Sequence, residues 1–236
     1  MDKHALTSST AMAGSPAVTE RGTQARAALI REGLKIFSEK GYSEASTREI
    51  ARAAGVNVAA IHYYFGDKEG LYRAVLAKPI MEIAGDLPRF DADLPLEQSI
   101  RMLVAALLGP LARQDDEHAL SMRLHLREML EPTPMLQEIF EQNVVPHHLA
   151  LVKQLARHCG VAEPDAGLHQ LAFAIVAMVN DYWMSRPCMA MLAPEVLDGP
   201  DALERTADRL VEYACALAEF EKKRRATGAS VKRRPS

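Results

Sequence analysis

Between residues 22 and 40 apolar side chains fall at Ile30, Leu34 and Phe37, the four- and three-residue steps of an amphipathic helix, and Gly41 ends the pattern. A second, short helix is announced by Ser46 and Glu49, three residues apart in the spacing of a capping box, with Ile50, Ala51 and Ala54 as its apolar face. Gly55 supplies a turn and Asn57 an N-cap, so a third helix starts at about Val58. On it Val58, Ile61 and Phe65 fall at i, i+3 and i+7 and are expected to point inward. Asp67 can cap a fourth helix running from Lys68 to about Ile83, in which Pro79 should cause a kink or an end. After a polar, proline-punctuated loop at 85–95, helices are read at about 96–113, 116–130, 135–159, 164–186 and 201–225. Their breaks fall at Glu131-Pro132-Thr133-Pro134, Gly160, Pro187 and Gly199-Pro200, and Pro146 predicts a kink or a split within 135–159.

The short second and third helices, joined at Gly55, have the pattern of a DNA-reading helix-turn-helix. If Val58, Ile61 and Phe65 face inward, then Ala59, Ala60, His62, Tyr63 and Tyr64 face partly or wholly outward. Such rings suit a phosphate backbone and base edges, and small alanines suit close approach to a thymine methyl. Lys68 stands in the first turn of the next helix, beside free N–H groups that also favour a phosphate. The plain alternative is that Tyr63 or Tyr64 packs on the first helix and that Arg48 is an ordinary solvated residue.

Helix 22–40, Gly41-Tyr42, TREIA, AGV and the run IHYYFGDKEGLY together resemble the N-terminal domain of TetR-family transcriptional regulators. The resemblance covers about a quarter of the chain. It implies that Thr47, Tyr63, Tyr64 and Lys68 hold phosphates, while Arg48, Ala59, Ala60 and His62 lie closest to base edges. The stretch from His125 to Pro134, H-L-R-E-M-L-E-P-T-P with its flanks, is similar to the CecR-like branch of that family, which implies a repressor answering to small, often toxic molecules. The expected partners are therefore a double-stranded DNA operator, a small-molecule effector and a second copy of the chain.

Composition changes this picture little but charge sharpens it. Ala and Leu dominate and β-branched runs are rare, which favours an all-α protein. The expected organisation is a disordered leader (1–20), a helix-turn-helix domain (21–66), a connecting helix (67–84), a helical ligand-binding and dimerisation bundle (85–221) and a disordered basic tail (222–236). The net charge of −3 hides a segregation. Residues 21–78 carry ten Lys/Arg against six Asp/Glu, residues 79–220 ten against twenty-two, and the last sixteen seven against one. Positive charge thus sits where a phosphate backbone would be met. The tail is either a flanking phosphate contact or a solvated end. No secretory signal is visible, and the longest apolar run, Leu171 to Val179, is half of what a bilayer requires, so a cytoplasmic protein is expected without a membrane partner. Cys159, Cys188 and Cys215 fit buried thiols better than a disulfide framework.

The helix at 164–186 is apolar on nearly every face, and the last helix repeats Leu203, Ala207, Leu210, Ala214 and Leu217 at bundle spacing. The family pairs its subunits through these two helices, so Leu171, Ile175, Met178, Tyr182, Leu203, Leu210, Ala214 and Leu217 are expected at a homodimer interface; a thick monomeric core is the alternative. Met102, Met122, Met129 and Met178, with His125, Phe173 and Trp183, are the candidates for an adaptable apolar effector pocket, although methionines at helical spacing also fill cores. His118 and His125 lie two turns apart and His147 and His148 are adjacent, but no metal-ligand spacing is present, and no metal or other cofactor is expected. With no Walker loop, G-x-S-x-G or dinucleotide fingerprint, no catalytic residue is assigned. An enzyme carrying a DNA-binding head and a non-specific architectural DNA binder remain the competing readings.

Overall fold

The computed structural model describes residues 20–87, 94–112 and 116–232, and among these it is all-helical. The expected leader, apart from Glu20, most of the 85–95 loop and the last four residues lie outside them. The N-terminal head comprises α1 (Glu20–Glu44), α2 (Thr47–Ala53) and α3 (Ala59–Phe65), and α4 (Lys68–Asp86) leads out of it. The body follows as α5 (Leu96–Leu108) with a 3-10 turn to Ala112, α6 (Asp116–Leu130), α7 (Pro134–Asn143), α8 (Val145–Cys159), α9 (Ala166–Met184), α10 (Arg186–Leu192) and α11 (Ala202–Lys232). The helix expected at 135–159 is split in two before Pro146, which occupies the first turn of α8, where its missing N–H costs nothing.

Several local expectations need correction. Ser46 stands at the N-cap of α2 in extended conformation, but its side chain makes no capping bond, and Glu49 is drawn away to Lys40 of α1 at 2.6 Å. The α1–α2 ion pair replaces the capping box. Val58 is exposed rather than inward, because α3 begins one residue later than the periodicity implies, leaving Ile61 as its buried anchor. Asn57 still acts at the start of α3, its Oδ1 accepting from the Ala59 N–H at 2.9 Å. Pro79 does not end α4, which runs on to Asp86. The basic segment is not a disordered tail as far as it is described: α11 continues to Lys232. Arg225 makes a bidentate contact with Asp165, both distances 2.8 Å, while Arg224 and Arg225 both bind Glu221. Asp165 also caps α9 through the Leu168 N–H, and the arginine beside it holds its carboxyl far below the usual carboxylate range. One cation of the run, Arg225, thus pins the C-terminal part of the last helix to the start of α9.

Two cores hold the molecule together. One collects Ile100, Leu103, Val104, Leu151, Leu155, Leu168, Ile175 and Leu210 from α5, α8, α9 and α11. The other joins Leu29, Phe37, Ile50, Ile61, Leu71 and Tyr72 of the head and α4 to Leu124 of α6 and Met135 and Ile139 of α7. The head is therefore seated on the body through a shared apolar core. Gly41 is part of this seat. Its φ of +75° kinks the chain within α1, three residues before the helix ends, and a Cβ there would stand 3.2 Å from Nη1 of Arg127 on α6. A Gly41→Ala variant combines an alanine at φ +75°, ψ −178°, a region essentially reserved for glycine and costing about 1–3 kcal/mol, with that close approach. Its thermal midpoint is expected to fall by roughly 2–12 °C, at roughly 2–4 °C per kcal/mol for a chain of this size, as calorimetry would read.

Candidate nucleic-acid interface

α2 and α3 are set by their apolar anchors. Ile50 and Ala51 of α2 and Ile61 of α3 are buried against α1, and Gly55, at φ +69°, makes the turn between the two helices. With Ile61 inward, the opposite side of α3 faces solvent, carrying Ala59, His62 and Tyr63, the last 78 % exposed. Ala60 and Tyr64 are half-buried at the edges of this face. Tyr63 and Tyr64 meet edge to face at 4.8 Å between ring centroids, so Tyr64 packs along the helix and steadies the more exposed ring. On α2, Arg48 is exposed and Thr47 half-buried.

Two of these side chains have fixed orientations. His62 Nδ1 lies 2.7 Å from the Gly66 carbonyl, which can only accept, so Nδ1 carries the proton and Nε2 of the neutral ring is an acceptor. Lys68 is turned back over the end of α1. Its ammonium donates to the Ser43 carbonyl at 3.2 Å and sits 4.6 Å from the centre of the Tyr42 ring, and burial lowers its pKa. Lys68 thus closes the head as well as offering charge near the start of α4.

The expected effector residues differ in exposure. Met102, Met129 and Phe173 are exposed, Met122, Met178 and Trp183 are half-buried, and His125 is half-buried beside Phe140 with its pKa lowered by burial. Trp183 donates to the Leu107 carbonyl at 2.8 Å and meets the His118 ring at a tilt, 4.2 Å between centroids. His118 in turn lines a cleft of about 190 Å³ between α1, α4 and α6, walled by Ile30, Leu34, Val75, Pro79 and the Lys78–Glu117 ion pair. Nothing in the sequence pointed to this cleft, since its walls come from three separated segments. No cluster of metal-ligating side chains occurs among the described residues.

The expected dimer residues lie in or against the protomer's own core. Leu171, Ile175, Leu210 and Ala214 are buried in the protomer's own core, and Met178, Tyr182, Leu203 and Leu217 pack against that core. The outward apolar positions on the same helices are different. On α9 they are Phe173, Ala174, Ala177 and Met184, and on α11 Tyr213, Ala216 and Phe220. Burial, and to a lesser extent Tyr213, raises the Tyr182 pKa.

An exposed recognition-type helix, set by a buried isoleucine and backed by a supporting helix, is now accompanied by sequence kinship along most of the chain. Residues 29–75 match the family described as bacterial regulatory proteins, tetR family, and residues 96–217, more than half of the chain, match the C-terminal domain of the HTH-type transcriptional dual regulator CecR. The chain belongs to the TetR family, in its CecR-like branch. It is 35 % identical to the HTH-type transcriptional dual regulator CecR of Shigella flexneri over 176 residues, 70 % of this chain and 78 % of that protein. It is also 35 % identical over 95 residues to the HTH-type transcriptional repressor BepR of Brucella suis biovar 1 (strain 1330), 37 % of this chain and 46 % of the relative. Among solved structures, a TetR-family regulator from Streptomyces coelicolor superposes with a TM-score of 0.54 at 24 % identity, covering 89 % of this chain and 88 % of that one, and so shares the fold. This TetR-family protein is a DNA-binding transcriptional regulator and not an enzyme. Among the described residues no helix is long and apolar enough to cross a membrane.

Proposed function

We propose that this regulator is a cytoplasmic homodimeric repressor that binds a palindromic operator and is released by a small molecule. The observation that carries the reading is the outward face of α3, where His62 and Tyr63 project from a helix anchored by Ile61. On DNA, Ala59, Ala60 and His62 would lie against base edges in the major groove, with Arg48 entering from the start of α2. Thr47, Tyr63, Tyr64 and Lys68 would hold the flanking phosphates. As an acceptor, His62 Nε2 favours the amino group of adenine or cytosine.

Subunits would pair through the outward stripes of α9 and α11, not through the residues that complete the protomer's own core. A pair of heads about 34 Å apart then meets successive major grooves. The effector would bind where the head meets the body, in the α1–α4–α6 cleft that opens beside Lys78 and Pro79. A ligand there would act on α4, the helix that joins body to head, and the affinity lost on DNA would equal the coupling free energy between the two sites.

Selection of bound genomic fragments by the purified protein tests this reading. Enrichment of one motif with two inverted half-sites is the expected result. Uniform recovery of fragments, insensitive to sequence, would replace it with the architectural-binder reading.

A further inference from the structure

The RE-x-x-E-P-T-P segment that marks the branch has a structural purpose the DNA-binding residues do not explain. Glu128 lies in the last turns of α6 and is only 1 % exposed, a costly place for a carboxylate unless its lone pairs are filled. They are filled by donors from two elements. The Tyr72 hydroxyl of α4 donates to Oε1 at 2.5 Å, and the Thr133 hydroxyl and N–H donate to Oε2 at 2.8 and 3.0 Å. Burial and the neighbouring carboxylate both raise the Tyr72 pKa, so the phenol stays a donor. Pro132 and Pro134 stiffen the backbone on either side of Thr133.

The preceding residue reaches the other way. Arg127 donates from Nη2 to the Glu39 carbonyl at 3.2 Å, at the end of α1, and lies over Gly41 in the space a side chain would need. Arg73 of α4, one residue from Tyr72, adds an ion pair to Glu138 of α7 at 3.0 Å. Two consecutive side chains at the α6–α7 corner thus hold the two helices, α1 and α4, that carry α2 and α3.

We propose that Arg127 and Glu128 form a latch that positions the DNA-binding head on the body and thereby sets the operator spacing the dimer accepts. The proposal rests on the dimeric operator-binding reading only for its second consequence. Its first, that the head is held by this corner, concerns the free protein. With the latch closed, α4 cannot swing without breaking a buried carboxylate network, so the two recognition helices keep a fixed separation. With it open, each head still reads its half-site, but the pair tolerates altered spacing.

The test compares the wild-type protein with Tyr72→Phe, Arg127→Met and the double variant, all full length. Tyr72→Phe keeps the ring and leaves Glu128 its two Thr133 donors, which protects against wholesale unfolding. In hydrogen exchange, amides of α4 and the end of α1 in the double variant should exchange at least tenfold faster, while those of α8, α9 and α11 keep their rates. Against the selected operator the double variant should lose at least tenfold in affinity, keep half-site affinity within twofold, and bind operators with one or two base pairs added or removed about as well as the original. Equal acceleration in both cores, or unchanged spacing preference despite weaker folding, would reduce these residues to structural ones and overturn the proposal. If the wild-type protein selects no operator, the dimeric reading fails on that result, and the exchange comparison still decides whether the latch exists.

Discussion

An Arg48→Ala, Tyr63→Ala variant is expected to lose about a thousandfold in operator affinity while its thermal midpoint stays within about 4 °C of the wild type. Both side chains are exposed, and surface substitutions of this kind change stability by about 0.5 kcal/mol or less. On DNA the accounting is different, because a two-fold dimer loses each contact twice. Four contacts at about 1 kcal/mol each, the lower end for a base or phosphate contact, amount to about 4 kcal/mol, or three powers of ten. Fluorescence anisotropy on the selected operator, with calorimetry on the free protein, separates the two effects. Affinity within tenfold of the wild type would place α3 off the DNA. Lys68 is a poorer test, since removing its ammonium also releases the Ser43 carbonyl and the Tyr42 ring that it covers.

How much of this could be read in advance depended on how local the determinant was. The helix-turn-helix is punctuated by residues whose roles are set within a few positions: Gly55 at positive φ, Asn57 at the start of α3, Asp67 accepting from the Gly70 N–H at 2.8 Å. Those signals survive in any tertiary setting. The capping box did not, because Lys40 from another helix competed for Glu49. The run at 222–232 read as solvated tail because Asp165, the partner of Arg225, lies sixty positions away. Glu128 was invisible as a functional candidate for the same reason. A carboxylate on an amphipathic helix looks like solvent-facing polarity until the donors that bury it are located.

The expected dimer face shows a different limit of periodicity. On α11 the bundle spacing of Leu203, Leu210, Ala214 and Leu217 is real, but it describes packing on α5, α8 and α9 of the same protomer. A helix that is apolar on two sides offers two candidate seams, and spacing cannot say which one a partner covers. The accessible seam is the one made of Phe173, Ala174, Ala177 and Met184 on α9 with Tyr213, Ala216 and Phe220 on α11.

Phe220→Glu is accordingly expected to convert the protein to monomers at micromolar concentration and to abolish tight operator binding with it. Phe220 is 65 % exposed and Phe173 62 %, unusual for such rings unless something covers them. Full burial of a phenylalanine is worth about 1.5–3 kcal/mol, and a two-fold interface counts every residue twice. With only the exposed 65 % of each ring left for a partner to cover, the substitution removes up to about 4 kcal/mol of interface burial and adds two carboxylates that a closed interface would have to desolvate. Phe220 is the better site than Phe173, which also stacks on His148 at 4.5 Å, where His148 shares a hydrogen bond with His169 at 2.9 Å. A core variant, Leu210→Ala, provides the contrast: it should cost about 2–5 kcal/mol of stability and leave the association state intact. Sedimentation velocity reads both. A monomer from Phe220→Glu that retains weak half-site binding separates recognition from pairing, whereas a stable dimer would move the interface off α9 and α11 and leave the exposed stripe in need of another partner.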